Sequence, residues 1–151
     1  MRQFWVAAHL LGFVAWMGGA FAAMTIGTAS RQEPRDRWGA VARLQGAIYT
    51  GLVLPGAICT VISGLVLTLS LYGQAASVGI PRFLMLMQGT GLLAALLTLV
   101  VIVPTSARLV RLDPVGPHAA LFDRLRAKLR FAGMISAFLA LLALVAGAML
   151  R

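Results

Sequence analysis

The stretch FWVAAHLLGFVAWMGGAFAAMTIGT, from Phe4 to Thr28, decides the fold. It contains no Asp, Glu, Lys or Arg. At a rise of about 1.5 Å per residue, a helix of this length crosses the roughly 30 Å hydrocarbon layer of a bilayer. Three further stretches share its character: Leu44–Leu71, Phe83–Ala107 and Phe131–Leu150. None holds a charged residue. A barrel would need short segments of alternating polarity, and these are absent. Backbone in lipid must satisfy its own hydrogen bonds, so apolar runs of this length predict helices. The expectation is an all-α, polytopic membrane protein: one membrane domain over residues 1–151, four transmembrane helices in an antiparallel bundle.

Composition agrees. The chain is 60% hydrophobic and 11% charged, against about 25% charged in soluble domains. Its formal charge of +9 does not point to nucleic acid, because every basic residue lies outside the apolar runs. Arg31, Arg35, Arg37 and Arg43 lie between the first and second runs. Arg108, Arg111, Arg124, Arg126, Lys128 and Arg130 lie between the third and fourth. The connector between the second and third carries only Arg82. Positive residues stay on the cytoplasmic side, which places both arginine-rich loops in the cytoplasm and both termini outside it. The expected location is the bacterial inner membrane, multi-pass, with lipid as the immediate partner.

Two segments need a separate reading. The beginning, with Arg2, an apolar core, Ala20 and Ala22, resembles a signal peptide. Apolar character continues through Ala23, Met24, Ile26 and Gly27, which favours an uncleaved first helix. In the last loop, LDPVGPH predicts a turn, and residues 119–130 predict an interfacial amphipathic helix. There Leu121, Leu125 and Leu129 share a face, with Arg124 and Lys128 displaced from it.

Within the first run, Gly12, Gly19, Ala23 and Gly27 form a track that admits a second helix closely. His9 is the only ionisable side chain of acid–base chemistry in that run. An intramembrane histidine faces the bundle interior and marks a candidate site. His9 and Gln88 each lie five residues inside the start of their runs, at one predicted level, with Thr68 the matching position on the second. A polar layer of His9, Gln88 and Thr68 is therefore expected, with Ser63 and Gly64 nearby. Its plain reading is a neutral imidazole tying helices together.

The functional reading of the same layer is an axial ligand to haem b iron. In that reading Gly12 and Trp16 leave room for the macrocycle, and Met85 or Met87 and Gln88 complete the site. His118 lies a membrane thickness away. Copper, which accepts imidazole and thioether, is the related alternative with His9 as metal ligand. Towards the arginine-rich side, Arg43, Gln45, Tyr49, Thr105 and Arg108 define a second candidate polar pocket. Pro55 and Gly56 predict a bend in the second helix, and Pro104 a loosened end of the third. Cys59 reads as a small buried hydrophobe. With no acid in any run, the sequence argues against proton-coupled transport through a buried carboxylate.

His9 followed by Gly12, Trp16 and Gly18–Gly19 resembles the opening of small bacterial inner-membrane proteins of the copper-resistance-D and HemJ-like group, most clearly over residues 5–28. That resemblance implies four helices and a haem-linked redox role, with His9 matching the early histidine that ligates haem in HemJ-type proteins. Their intramembrane lysine has no counterpart: the sole lysine, Lys128, lies in the basic loop. This argues against protoporphyrinogen oxidation. The leading expectation is a non-enzymatic structural or complex-forming subunit, as a homo-oligomer or within a larger assembly. A haem-b redox protein and a small-solute or copper transporter are the alternatives.

Overall fold

A computed structural model of the chain describes residues 1–72 and 81–149. The expected outer connector falls largely on residues 73–80, and the C-terminus on residues 150 and 151, so both lie outside the described residues. Six α-helical pieces follow in order: α1 (Arg2–Ala29), α2 (Trp38–Ile48), α3 (Leu54–Tyr72), α4 (Arg82–Leu97), α5 (Val103–Leu109) and α6 (Ala119–Ala148). A π turn, Tyr49–Val53, joins α2 to α3, and a second, Thr98–Ile102, joins α4 to α5. These pieces make four continuous rods, each long and apolar enough to cross a membrane. No strand occurs among the described residues.

Both π turns end two residues ahead of a proline, Pro55 and Pro104. Proline has no N–H to donate, and its ring collides with the carbonyl four residues back in a regular helix. One wider turn before the ring relieves that collision without breaking the rod. Each proline is thus accommodated by a local widening of the helix. Gly56 is no part of it and serves packing instead.

Two seams hold the rods together. Along the first, α1 meets the second rod through glycines. A methyl built on Gly12 would lie 2.8 Å from Thr60 Oγ1, one on Gly56 2.6 Å from the Trp16 nitrogen, and one on Gly19 2.9 Å from Val53. Gly27 faces Gln45, whose Nε2 donates to the Ala23 carbonyl at 2.6 Å. Residue numbers rise along one rod as they fall along the other. All four positions of the predicted track (Gly12, Gly19, Ala23, Gly27) thus face the second rod. The second seam joins α4 to α6 and is built of alanine. Along it Met87 lies against Gly147, Gly91 faces Ala143 and the Ala94 carbonyl accepts from Ser136, while Ala137, Ala140 and Ala146 are buried on α6. Small residues let backbones approach where lipid removes the hydrophobic drive.

The fourth rod begins ahead of its apolar run, as the direct passage from amphipathic segment to span implies. The amphipathic segment and the apolar run form one helix, α6, with His118 just ahead of it. Its inward row is Phe122, Leu129, Ala132 and Gly133. Leu121, read as part of the apolar face of an interfacial helix, is 46% exposed, while Phe122 is 1% exposed and faces the bundle. The row at i, i+7, i+10 and i+11 follows the buried stripe of a helix, and the Leu121–Leu125–Leu129 row drifts off it.

At the arginine-rich end the loops close over this helix. Arg126 donates from Nη2 to the Gly27 carbonyl at 3.0 Å and to Ser30 Oγ at 2.6 Å. Its guanidinium lies 4.0 Å from the centre of the Trp38 ring. Arg35 pairs with Asp123 at 2.6 Å and donates from Nε to the Pro114 carbonyl at 2.9 Å. Of the ten basic residues used for orientation, these two therefore also fasten the loops. Arg31, Arg37, Arg43, Arg108, Arg111, Arg124, Lys128 and Arg130 are exposed.

Candidate functional site

His9 sits on α1 directly opposite Gly64 of α3. A methyl on Gly64 would come within 3.0 Å of the His9 ring, so that glycine makes the niche. His9 Nδ1 lies 2.9 Å from the Thr60 carbonyl oxygen and 3.3 Å from Ser63 Oγ. A carbonyl only accepts, so Nδ1 carries a proton, and in the neutral imidazole this leaves the lone pair on Nε2. Thr60 and Ser63 are themselves anchored: the Thr60 hydroxyl donates to the Gly56 carbonyl at 2.8 Å, and that of Ser63 to the Cys59 carbonyl. Cys59 in turn places its thiol 3.4 Å from the Ala8 carbonyl, one residue before His9. The niche is a small interhelical lock. In ¹⁵N NMR, His9 is expected to show a protonated Nδ1 and a bare Nε2. His9→Ala should lower the thermal stability in mild detergent by about 1 kcal/mol, the scale of one interhelical hydrogen bond in a membrane protein.

The predicted polar layer is split in two. Gln88 Nε2 donates to Thr68 Oγ1 at 2.6 Å, linking α4 to α3 as anticipated, but His9 bonds to Thr60 and Ser63 instead. About two turns of α3 separate Thr60 from Thr68, because the Gly12–Gly56 crossing sets the register of α1.

The five residues proposed for haem do not assemble into a haem pocket. Gly12, which was to leave room for the macrocycle, is filled by Thr60 and the Gly56 carbonyl. Trp16 is packed with its backbone against Gly56. Met85 is 61% exposed on the outside of α4, and Met87 lies against Gly147 of α6. Only His9 Nε2 remains as a ligand atom. Nor do the residues expected to form a pocket towards the arginine-rich side gather there. Gln45 braces α1, Arg43 and Arg108 point outwards, and Tyr49 turns to the centre of the bundle.

That centre is the feature the sequence reading missed. All four rods border a chamber between the two π turns, lined by Trp16 and Met24 of α1, Tyr49 and Thr98 of the turns, and Gly133 and Ser136 of α6. The Thr98 hydroxyl donates to the Ala94 carbonyl at 2.8 Å, Ser136 Oγ approaches the same carbonyl at 3.1 Å, and the two hydroxyls are 3.0 Å apart. A signal existed. Tyr49 and Thr98 each stand six residues before a proline, and both are polar in otherwise apolar surroundings. Among the described residues no group of three or more His, Cys, Asp or Glu side chains is placed to hold a metal ion. In comparisons with known proteins, no family model matches the chain, and no curated protein or solved structure is significantly similar to it.

Proposed function

We propose that the chain is a four-helix subunit of a membrane assembly, non-enzymatic, set in the bacterial inner membrane as an antiparallel bundle with both termini outside the cytoplasm. The observation that carries this reading is a set of glycines against which no described residue packs. An added methyl at Gly18, Gly51 or Gly89 would meet no atom within 4 Å. The contacts of Gly19 with Leu52 and Val53 put Gly18 and Gly51 at one height. Gly18 also begins an exposed row of small residues on α1, continuing through Ala22, Thr25 and Ala29. In a bilayer, where helices associate by close packing, such a row suits a neighbouring helix. The filled interior supports the same reading, since the central chamber offers only about 10 Å³ to the centre of a water molecule.

The test is native mass spectrometry from mild detergent, backed by cross-linking in membranes. The expected result is a defined oligomer or a stable hetero-complex that dissociates in Gly18→Leu/Ala22→Leu while helicity is kept. A wild-type chain that is monomeric by both methods would sink the reading.

One observation favours a second reading, a haem-b redox protein of the copper-resistance-D and HemJ-like kind. The His9 Nδ1–H bond to Thr60 leaves Nε2 bare, and a backbone carbonyl is a common anchor for a metal-ligating imidazole. His9 would supply one ligand, leaving the other to a second chain. The absorption spectrum after expression with ample haem decides it: a Soret band lost in His9→Ala supports the reading, and its absence from the wild type removes it. The transporter reading gains nothing comparable, because Met85 and Met87 are not brought to His9.

A further inference from the structure

Tyr49 is 3% exposed, borders the central chamber, and its hydroxyl makes no hydrogen bond with any described residue. Every side-chain nitrogen or oxygen that is fully sealed among the described residues does have a partner. The Tyr49 hydroxyl therefore keeps some accessible surface, and Tyr49 is one of the residues that line the chamber. Across it, Thr98 and Ser136 have two hydroxyl protons for three contacts, the two to the Ala94 carbonyl and the one between them. Once those protons are placed, lone pairs remain on both oxygens. The Tyr49 O–H lacks an acceptor, and the Thr98–Ser136 pair can accept further. A water molecule corrects both, accepting from Tyr49 and donating to the pair.

Size agrees with chemistry. The chamber gives about 10 Å³ to a water's centre, close to the least that holds one water, and a buried water needs two to four polar partners. We propose that this chamber is a binding site for a single water molecule, held between the Tyr49 hydroxyl and the Thr98–Ser136 pair. The water joins the second rod to the third and fourth at the level where both π turns interrupt the regular helix. It ties the glycine seam to the alanine seam at a height where direct packing leaves a gap. Its site does not depend on whether the chain is an assembly subunit.

Radiolytic hydroxyl labelling of the full chain in lipid nanodiscs tests this, because radicals formed from a buried water mark only the side chains beside it. Trp16 and Tyr49 are expected to be labelled despite their burial, and Phe122, equally buried and away from the chamber, is not. Gly133→Ala adds a methyl that meets nothing closer than Met24 at 3.9 Å; it narrows the chamber without a clash and should abolish labelling of Trp16 and Tyr49. Tyr49→Phe, which removes only the hydroxyl, should cut the Trp16 label at unchanged helicity. Labelling of Trp16 and Tyr49 no higher than that of Phe122, or persisting undiminished in Gly133→Ala, would overturn the proposal.

Discussion

Gly56→Val is expected to force α1 away from the second rod. A methyl at position 56 meets the Trp16 nitrogen at 2.6 Å, the Gly12 carbonyl at 2.8 Å and the Trp16 Cα at 3.1 Å. All three are backbone atoms inside a hydrogen-bonded helix, so no rotamer change relieves them. The two rods must separate, and with them go the contacts of Gly12, Gly19 and the His9 niche. Overpacking in a closed core costs about 1–3 kcal/mol, and the branched valine places this case at the upper end. Leu144→Val, at an exposed position of α6 away from this seam and from the Gly18 row, is the control. Unfolding followed by circular dichroism in mild detergent should show a large fall in midpoint for the first variant and little change for the second. Equal midpoints would mean that the close crossing contributes nothing to stability.

The second large effect is expected from Arg126→Ala. One guanidinium nitrogen serves the Gly27 carbonyl and the Ser30 hydroxyl, at the end of α1, while the plane lies 4.0 Å from the Trp38 ring. Ser30 is buried, and without Arg126 its hydroxyl keeps only its own bond to the Gly27 carbonyl. Hydrogen bonds to a charged group contribute about 1.5–3 kcal/mol each; with Arg126 half-buried, a total near the lower figure is expected. The loss should be local. Amide exchange across residues 27–38 should speed up markedly, and Trp38 emission should shift towards that of an exposed indole. Arg126→Lys keeps the charge but not the planar fork, and should recover only part of the protection. Unaltered exchange in Arg126→Ala would show that the loop is held without it, by the Arg35–Asp123 and Arg37–Glu33 pairs and the Trp38 bond to the Glu33 carbonyl.

These two sites show where the reading of the sequence was strong and where it ran out. Gly12, Gly19, Ala23 and Gly27 were identifiable as a packing track because small residues at helical spacing carry information on one helix alone. The prolines announced irregularity for the same local reason. The alanine face of α6 was less visible, since alanine in an apolar run is equally compatible with facing lipid. His9 was visible as a polar residue, but its partner was not. Thr60 and Ser63 are no more conspicuous than Thr68 or Gln88, and the choice among them depends on register to within one turn.

The sequence by itself determined four apolar rods of membrane-crossing length, the charged loops between them, and the positions where proline disturbs the helix. Each follows from hydropathy, charge and backbone chemistry within a few residues of chain. The tertiary structure alone decided which faces meet. It closed the space beside Gly12, gave the His9 proton to a carbonyl 51 residues away, turned Met85 outwards and gathered Tyr49, Thr98 and Ser136 around one chamber. The physical reason is steric. Seams built of glycine and alanine bring backbones to within a methyl group of one another, and that fit fixes register, which no local pattern encodes.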